Sequence, residues 1–280
     1  MDGLRLVGRN DGEYFMTEYA VIAGKGNLPG LVLAELGNAK VICFEGESEP
    51  EVAADLLTRF GRIGQILEFL RGNNIKKIVF AGAMQRPDIK NLSPDAEGAK
   101  LLAKILAGSL FGKGLGDDKL LSVITKFLED KGFEVVGVQE VLKNILAGKG
   151  VMGKVQPDAL QEEDIKTGMA VFEKIGGVDI GQSLVVEDGV VIAVEAVEGT
   201  AAMIARSGLL KKSYGGVLVK FKKPGQNDKV DMPSIGADTV AQAAAAGVRG
   251  IAIEAGEVLM IEKARIIEAA DAAGVFVVGV

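Results

Sequence analysis

The chain has 280 residues, 48% of them hydrophobic, with 38 acidic and 32 basic side chains and no histidine. That length is more than one core comfortably fills and suits two domains, while the formal net charge of −6 argues against a broad nucleic-acid footprint. Without histidine, imidazole-based zinc sites, Ser-His-Asp triads and phosphohistidine chemistry are excluded, which leaves carboxylates, lysines, hydroxyls and a hard metal for any hydrolysis.

Residues 1–15 fit no element. They carry Arg5, Arg9, Asp11 and Glu13 in place of a signal-peptide apolar core and read either as a flexible extension or as a misassigned start ahead of Met16. At 19–24 (YAVIAG) an apolar strand runs into glycine, followed by GKGNLPG and the helical LVLAEL. Further strands fall at 40–45 (KVICFE) and 76–82 (KKIVFAG), and the first of them contains the single cysteine, Cys43. One thiol permits no intrachain disulfide, which with the missing leader predicts a reduced, cytoplasmic protein. Helical patterns cover 62–71, 96–110 and 117–131, and 132–138 (GFEVVGV) gives another strand. This alternation is the pattern of a parallel sheet covered by helices, so a Rossmann-like α/β domain is expected over 16–148.

The glycine-rich stretch 148–157 (GKGVMGKVQP) reads as a linker. Beyond it, 158–175 looks helical, and SLVVE and VVIAV flank Asp188-Gly189, a strong hairpin signal. A strand at 216–223, a helix at 238–246, a strand at 251–254, a helix at 262–273 and a strand at 275–280 follow. A second, mixed α/β domain carrying the catalytic groups is therefore expected over 149–280. The longest run without a charged residue, 239–248, has ten residues. That is about half a bilayer span, so no transmembrane helix is predicted.

The most informative stretch is 222–236, KKPGQNDKVDMPSIG. It sets Asp228 and Asp231 among lysines, the composition of a loop that holds Mg²⁺ and phosphate. Lys211, Lys212, Lys220, Lys222 and Lys223 fall within thirteen residues, a patch that suits phosphate or an anionic membrane, or else a solvated sheet edge. Glu195 lies in the apolar run VVIAVEAVEGT, on the strand face expected for Val191 and Ala193, and a buried carboxylate there needs a cation or donors. Glu198-Gly199-Thr200 then turns into a helix with Thr200 as a natural N-cap, leaving free N–H groups at its start. Gly24 and Gly26 sit in GKGNLPG at a strand-to-helix junction, where backbone N–H groups receive anions, although the spacing is neither GxGxxG nor a P-loop. Arg86, past the third strand, suits bidentate phosphate contact. Gln182 and Ser183 open a strand. Asp117 and Asp118 open a helix, with capping as the plain explanation. The amphipathic stretch 99–114, with Leu101, Leu102, Ile105, Leu106, Leu110 and Phe111, either faces the core or lines an acyl groove.

Together and in this order, the segments IAGKGNLP, FAGAMQRPD, GDD, GFEVVGVQEVL, GKVQP, DIGQSLVVEDGVVIAVEAVEGT, KPGQNDKVDMPSIG and IEAG resemble the LpxI-type UDP-2,3-diacylglucosamine pyrophosphatases of bacterial lipid A synthesis. The resemblance implies Mg²⁺-dependent hydrolysis of UDP-2,3-diacylglucosamine to UMP and 2,3-diacylglucosamine 1-phosphate (lipid X), in a two-domain homodimer with the ligand between domains. It implies a cytoplasmic enzyme with peripheral contact at the inner face of the inner membrane. Its key aspartate falls on Asp231. The chain departs from the family pattern at Ala201, where EGTD is common, and at Lys229, where arginine is common. On this basis Asp231 and Glu195 are the expected catalytic residues. Asp231, Glu195 and Asp228 are the expected metal ligands, and Lys220, Lys222 and Arg86 are expected on the diphosphate. Gly24, Gly26, Gln182, Glu198, Gly199 and Thr200 complete the expected substrate contacts. The alternatives are a non-catalytic nucleotide-sugar binding protein and a hydrolase of another nucleoside diphosphate sugar.

Overall fold

The computed structural model describes residues 18–47, 52–85, 87, 92–109, 116–177, 180–211 and 215–280. The expected extension at 1–15 lies outside them. The chain folds as the sequence predicts, into a parallel α/β layer followed by a mixed α/β domain.

The first layer contains β1 (Tyr19–Ala23), α1 (Leu28–Leu36), β2 (Lys40–Phe44), β3 (Leu56–Thr58), α2 (Ile63–Gly72) and β4 (Lys77–Ala81), then α3 (Ala96–Ser109), α4 (Asp117–Asp130), β5 (Glu134–Val136) and α5 (Val138–Val141). Its strands run parallel in the order β3-β2-β1-β4-β5. Because side chains alternate across a strand, Ile22, Ile42 and Ile78 enter one core and Val21, Val41 and Val79 the other. The first core is closed by α2, α3 and α4 through Ile66, Leu101 and Phe127, the second by α1 and α5 through Val32 and Val141.

The second domain contains β6 (Gly150–Met152), α6 (Ala159–Ile175), β7 (Ser183–Glu187), β8 (Val190–Val194), α7 (Gly199–Leu210) and β9 (Val217–Lys220). It continues with β10 (Ser234–Ile235), α8 (Ala237–Ala245), β11 (Gly250–Ile253), β12 (Leu259–Met260), α9 (Lys263–Ala273) and β13 (Phe276–Gly279). Its main sheet has the order β6-β13-β11-β9-β7-β8; β9, β11 and β13 run parallel, and β6 and β7 antiparallel to their neighbours. A short parallel pair, β10 and β12, lies apart. The glycine-rich stretch at 148–157 is more than a linker, since β6 within it pairs with β13 at the sheet edge. The Asp188-Gly189 hairpin forms with both residues at positive φ, 52° and 74°, as a two-residue turn between twisted strands requires. Helix α6 starts at the Asp158 capping box, in which Asp158 accepts from the Gln161 N–H and Gln161 accepts from the Asp158 N–H.

Strand β8 does not keep the simple alternation expected of it. A register shift opposite Val185 and Val186 turns the pair, so Ala193 packs on the core of α8 and α9 while Val191 packs on the opposite one. Glu195 therefore does not share a face with both. Strand β9 lies between β7 and β11, so the lysines at its end do not protect a sheet edge.

Candidate active site

In an open parallel sheet, ligands gather past the carboxyl ends of the strands, where the strand order reverses. Here that point lies between β1 and β4. The two strands continue past their ends as a close crossing: the Gly24 N–H donates to the Ala81 carbonyl at 2.8 Å, and Lys25 and Ala83 exchange backbone hydrogen bonds. Only glycine fits at two of these places. A Cβ at Gly24 would lie 2.5 Å from the Ala83 oxygen, and one at Gly82, whose φ is +93°, would lie 2.7 Å from the Lys25 oxygen. The turn Gly26-Asn27 then leads into α1, whose first N–H groups have no intrahelical partner.

A cavity of about 660 Å³ opens beside this turn. Its deep wall is apolar, with Ile22, Phe44 and Phe80 from the sheet and Ile66, Leu102, Ile105, Ile124 and Phe127 from helices α2 to α4. Its polar part is formed by Lys25, Gly26 and Asn27, by Gln139, and by residues 228–231 of the second domain. The stripe on α3 does both things at once: Leu101 and Ile105 belong to the buried core, and with Leu102 they also line this cavity. Leu106 is exposed, and Leu110 and Phe111 lie outside the described residues.

The loop that carries Asp231 reaches across from the second domain. Asn227 shapes it: its carbonyl accepts from the N–H groups of Val230 and Asp231, and its side-chain oxygen accepts from the Lys229 N–H. Val230 packs in one core of the first domain and Met232 in the other. Alternation along these three residues anchors Asp231 between two apolar neighbours at the rim of the first sheet. Polar contacts across the boundary hold the arrangement: Gln139 Nε2 to the Asp228 carbonyl at 3.0 Å, Lys229 Nζ to Glu129 at 2.7 Å and Asn27 Nδ2 to Glu262 at 2.7 Å.

Among the described residues, Lys211, Lys220 and Lys222 do not form the expected open patch. Lys222 lies between Asp228 and Glu257, each at 2.6 Å. Burial works against its charge, but these two carboxylates outweigh it and raise its pKa. Lys220 is 6% exposed and donates to the Thr200 hydroxyl at 3.0 Å. Burial lowers its pKa, and Glu195 opposes that only in part. Lys211 is buried between the Gly215 and Gly247 carbonyls, and Lys212 lies outside the described residues.

Glu195 finds the donors its burial demands. The Thr200 hydroxyl donates to Oε1 at 3.0 Å and the Gln182 N–H to Oε2 at 3.2 Å, with Ser183 Oγ 3.5 Å from the same hydroxyl. Thr200 is not the N-cap of α7. Glu198 holds that position, Gly199 opens the helix, and the Thr200 hydroxyl turns inward to link Lys220 with Glu195. Glu198 itself pairs with Arg206 at 2.7 Å, which lowers its pKa. Neither Glu195, Thr200 nor Lys220 belongs to the wall of the cavity that holds Asp231, and Arg86 lies outside the described residues.

Two predicted groups thus separate in space: Asp228, Asp231 and Gly26 at the cavity, and Glu195, Thr200, Lys220 and Gln182 in a buried cluster at the end of β7, β8 and β9. Among the described residues no group of three carboxylate or thiolate side chains is arranged to enclose a metal. Asp228 and Asp231 both line the cavity, Asp228 with one carboxylate oxygen on Lys222, and Mg²⁺ in general takes only one or two carboxylates and fills its remaining positions with water and substrate phosphate. Sequence reasoning missed Lys25, Asn27 and Gln139. Lys25 and Asn27 stood inside the glycine-rich motif, whereas nothing in the local pattern of Gln139 announced that α5 would bring it to the Asp231 loop.

Family comparison agrees along the chain. Residues 18–145 match the model of the LpxI N-terminal domain and residues 148–278 that of the LpxI C-terminal domain. The chain is 38% identical, over 95% of its own length and 98% of the relative's, to the UDP-2,3-diacylglucosamine pyrophosphatase LpxI of Caulobacter vibrioides.

Proposed function

Because this chain belongs to the LpxI family, we propose that it hydrolyses the diphosphate of UDP-2,3-diacylglucosamine to UMP and 2,3-diacylglucosamine 1-phosphate in lipid A synthesis. The observation that carries the reading is one continuous cavity with an apolar interior and a polar part holding Asp231 and the Gly26-Asn27 turn. Such a cavity suits a ligand that joins acyl chains to a phosphorylated head.

In the reaction the water oxygen bonds to phosphorus, the bridging P–O bond breaks, and the water proton passes to a base. The apolar wall takes acyl chains and sets the head group at the rim. The backbone N–H groups at the start of α1 receive a phosphate oxygen. Lys25 adds positive charge there. Asp231, fixed between Val230 and Met232, is the carboxylate on which turnover depends. Asp228 and Asp231 would hold Mg²⁺, which neutralises phosphate charge and polarises the phosphoryl group. Glu195, Thr200 and Lys220 support the loop after β8 and the start of α7 and are assigned a positioning role.

The test is hydrolysis of UDP-2,3-diacylglucosamine in detergent, with Mg²⁺ or EDTA, for wild type and Asp231→Asn. Expected is Mg²⁺-dependent UMP release that falls about 10³-fold in the variant, the scale on which removing a charge-handling group acts. Well-folded wild type that binds the substrate but releases no UMP would favour the binding-protein reading. We extend the proposal to a cytoplasmic homodimer with peripheral membrane contact, for which sedimentation and vesicle flotation are the checks; a monomer that ignores vesicles removes this extension.

A further inference from the structure

Three buried side-chain atoms have no hydrogen-bond partner among the described residues: Thr125 Oγ1, Gln226 Nε2 and Gln139 Oε1. Of these residues only Gln139 belongs to the cavity wall. It lies in α5, just past the carboxyl end of β5. Its Nε2 donates to the Asp228 carbonyl at 3.0 Å. Its amide lies over Gly137, where a Cβ would come within 2.5 Å of both amide heteroatoms, so glycine at that position makes the packing possible. The Asp228 bond also settles which way the amide points. Reversed, the side-chain oxygen would meet the carbonyl oxygen of Asp228. The oxygen is therefore the atom left over, and a buried acceptor without a donor carries its desolvation cost in full.

We infer that Gln139 is a specificity-determining residue, whose Oε1 accepts a hydrogen bond from an N–H or O–H group on the polar head of the substrate. The inference rests on the proposed reaction. A phosphate oxygen or an acyl chain has no proton to give this acceptor, so Gln139 reads neither the diphosphate nor the lipid. In UDP-2,3-diacylglucosamine the donors are the imide N–H of uracil, the hydroxyls of ribose and hexose, and the amide N–H at the 2-position of the glucosamine. Because the same amide holds the backbone of Asp228, correct head-group binding and placement of the Asp231 loop meet in one side chain.

The experiment measures kcat/KM for UDP-2,3-diacylglucosamine and for analogues each lacking one donor: N3-methylated uracil, deoxygenated ribose, deoxygenated hexose, and an ester in place of the 2-amide. Wild type is compared with Gln139→Ala and Gln139→Glu, all checked for an unchanged thermal midpoint. Wild type should lose about tenfold on one analogue, as expected for one unpaired hydrogen bond. Gln139→Ala should lose a similar factor on the natural substrate and no longer distinguish it from that analogue. Gln139→Glu keeps an acceptor but loses the donor to Asp228, so it should turn over more slowly while still discriminating. The affected analogue identifies the donor. A wild type indifferent to every analogue, or a folded Gln139→Ala that discriminates as wild type does, overturns the inference. If wild type releases no UMP from the natural substrate, the proposed reaction has failed and this inference falls with it. If it does release UMP, an indifferent residue 139 overturns the inference alone.

Discussion

On the cavity side of the first sheet, Ile22, Phe44 and Phe80 face the aliphatic side chains of α3 and α4. At the carboxyl end of the second sheet, Glu195, Thr200 and Lys220 form one hydrogen-bonded group, and Asp228, Lys222 and Glu257 another. The first domain is held together by area, and it can leave a cavity because its helices wrap an apolar space. The second has apolar cores as well, and adds the buried Lys220 and Glu195, a kind of group that is weak evidence for stability and better evidence that geometry is being fixed. The proposed site lies where they meet, with the Gly26-Asn27 turn from one and Asp231 from the other lining one cavity.

The charged side of this comparison breaks most severely at Lys220. Lys220→Met removes the donor to Thr200 and leaves Glu195 without the cation that faces it through that hydroxyl, and losing a buried hydrogen bond to a charged group costs about 1.5–3 kcal/mol. Urea unfolding should register a loss of that order. The double variant Lys220→Met/Glu195→Gln should recover most of it, because no lone charge then remains. A single variant as stable as wild type would mean that Lys220 and Glu195 are not energetically coupled.

The apolar side breaks through volume. Ile105→Trp puts a ring into the cavity from α3, where there is space to receive it, so stability should change little. Binding of acyl chains should suffer, with KM for the diacylated substrate rising about tenfold, which corresponds to roughly 1.4 kcal/mol, and kcat staying nearly constant. Equal effects on kcat and KM would place the chains elsewhere.

Much of this was legible in the sequence, and the reasons differ by region. Strands β1, β2 and β4 announce themselves as apolar runs, and the hairpin at Asp188-Gly189 as turn chemistry. Asp231 stood out because carboxylates and lysines crowd one loop. What stayed hidden depends on three-dimensional neighbours. The register shift in β7 and β8 leaves no periodic trace, so the face of Glu195 was misjudged. Lys220 and Lys222 are neighbours in a basic run, yet one is buried against Thr200 and the other paired with Asp228 and Glu257. Thr200 has the composition of a cap, but its hydroxyl serves a lysine and a glutamate from two different strands' ends. Gln139 reaches Asp228 across 89 residues of sequence, a separation no local pattern reports.

The smallest effect is expected at the seam itself. Lys229 pairs with Glu129 at the end of α4, and the two side chains are 42% and 39% exposed. Exposed pairs of this kind contribute about 0.2–1 kcal/mol, because both groups stay solvated and each surrenders side-chain freedom. Lys229→Ala should therefore lower the thermal midpoint only slightly, with kcat/KM falling less than about threefold on the same scale. Lys229→Arg should restore the pair with a wider fork of donors. Since Lys229 also belongs to the cavity wall, the comparison has a clear way to fail. A drop of ten-fold or more in kcat/KM for Lys229→Ala, with stability unchanged, would move this ammonium from the Glu129 contact to the substrate. The second domain would then supply the cavity with a cation as well as with Asp231.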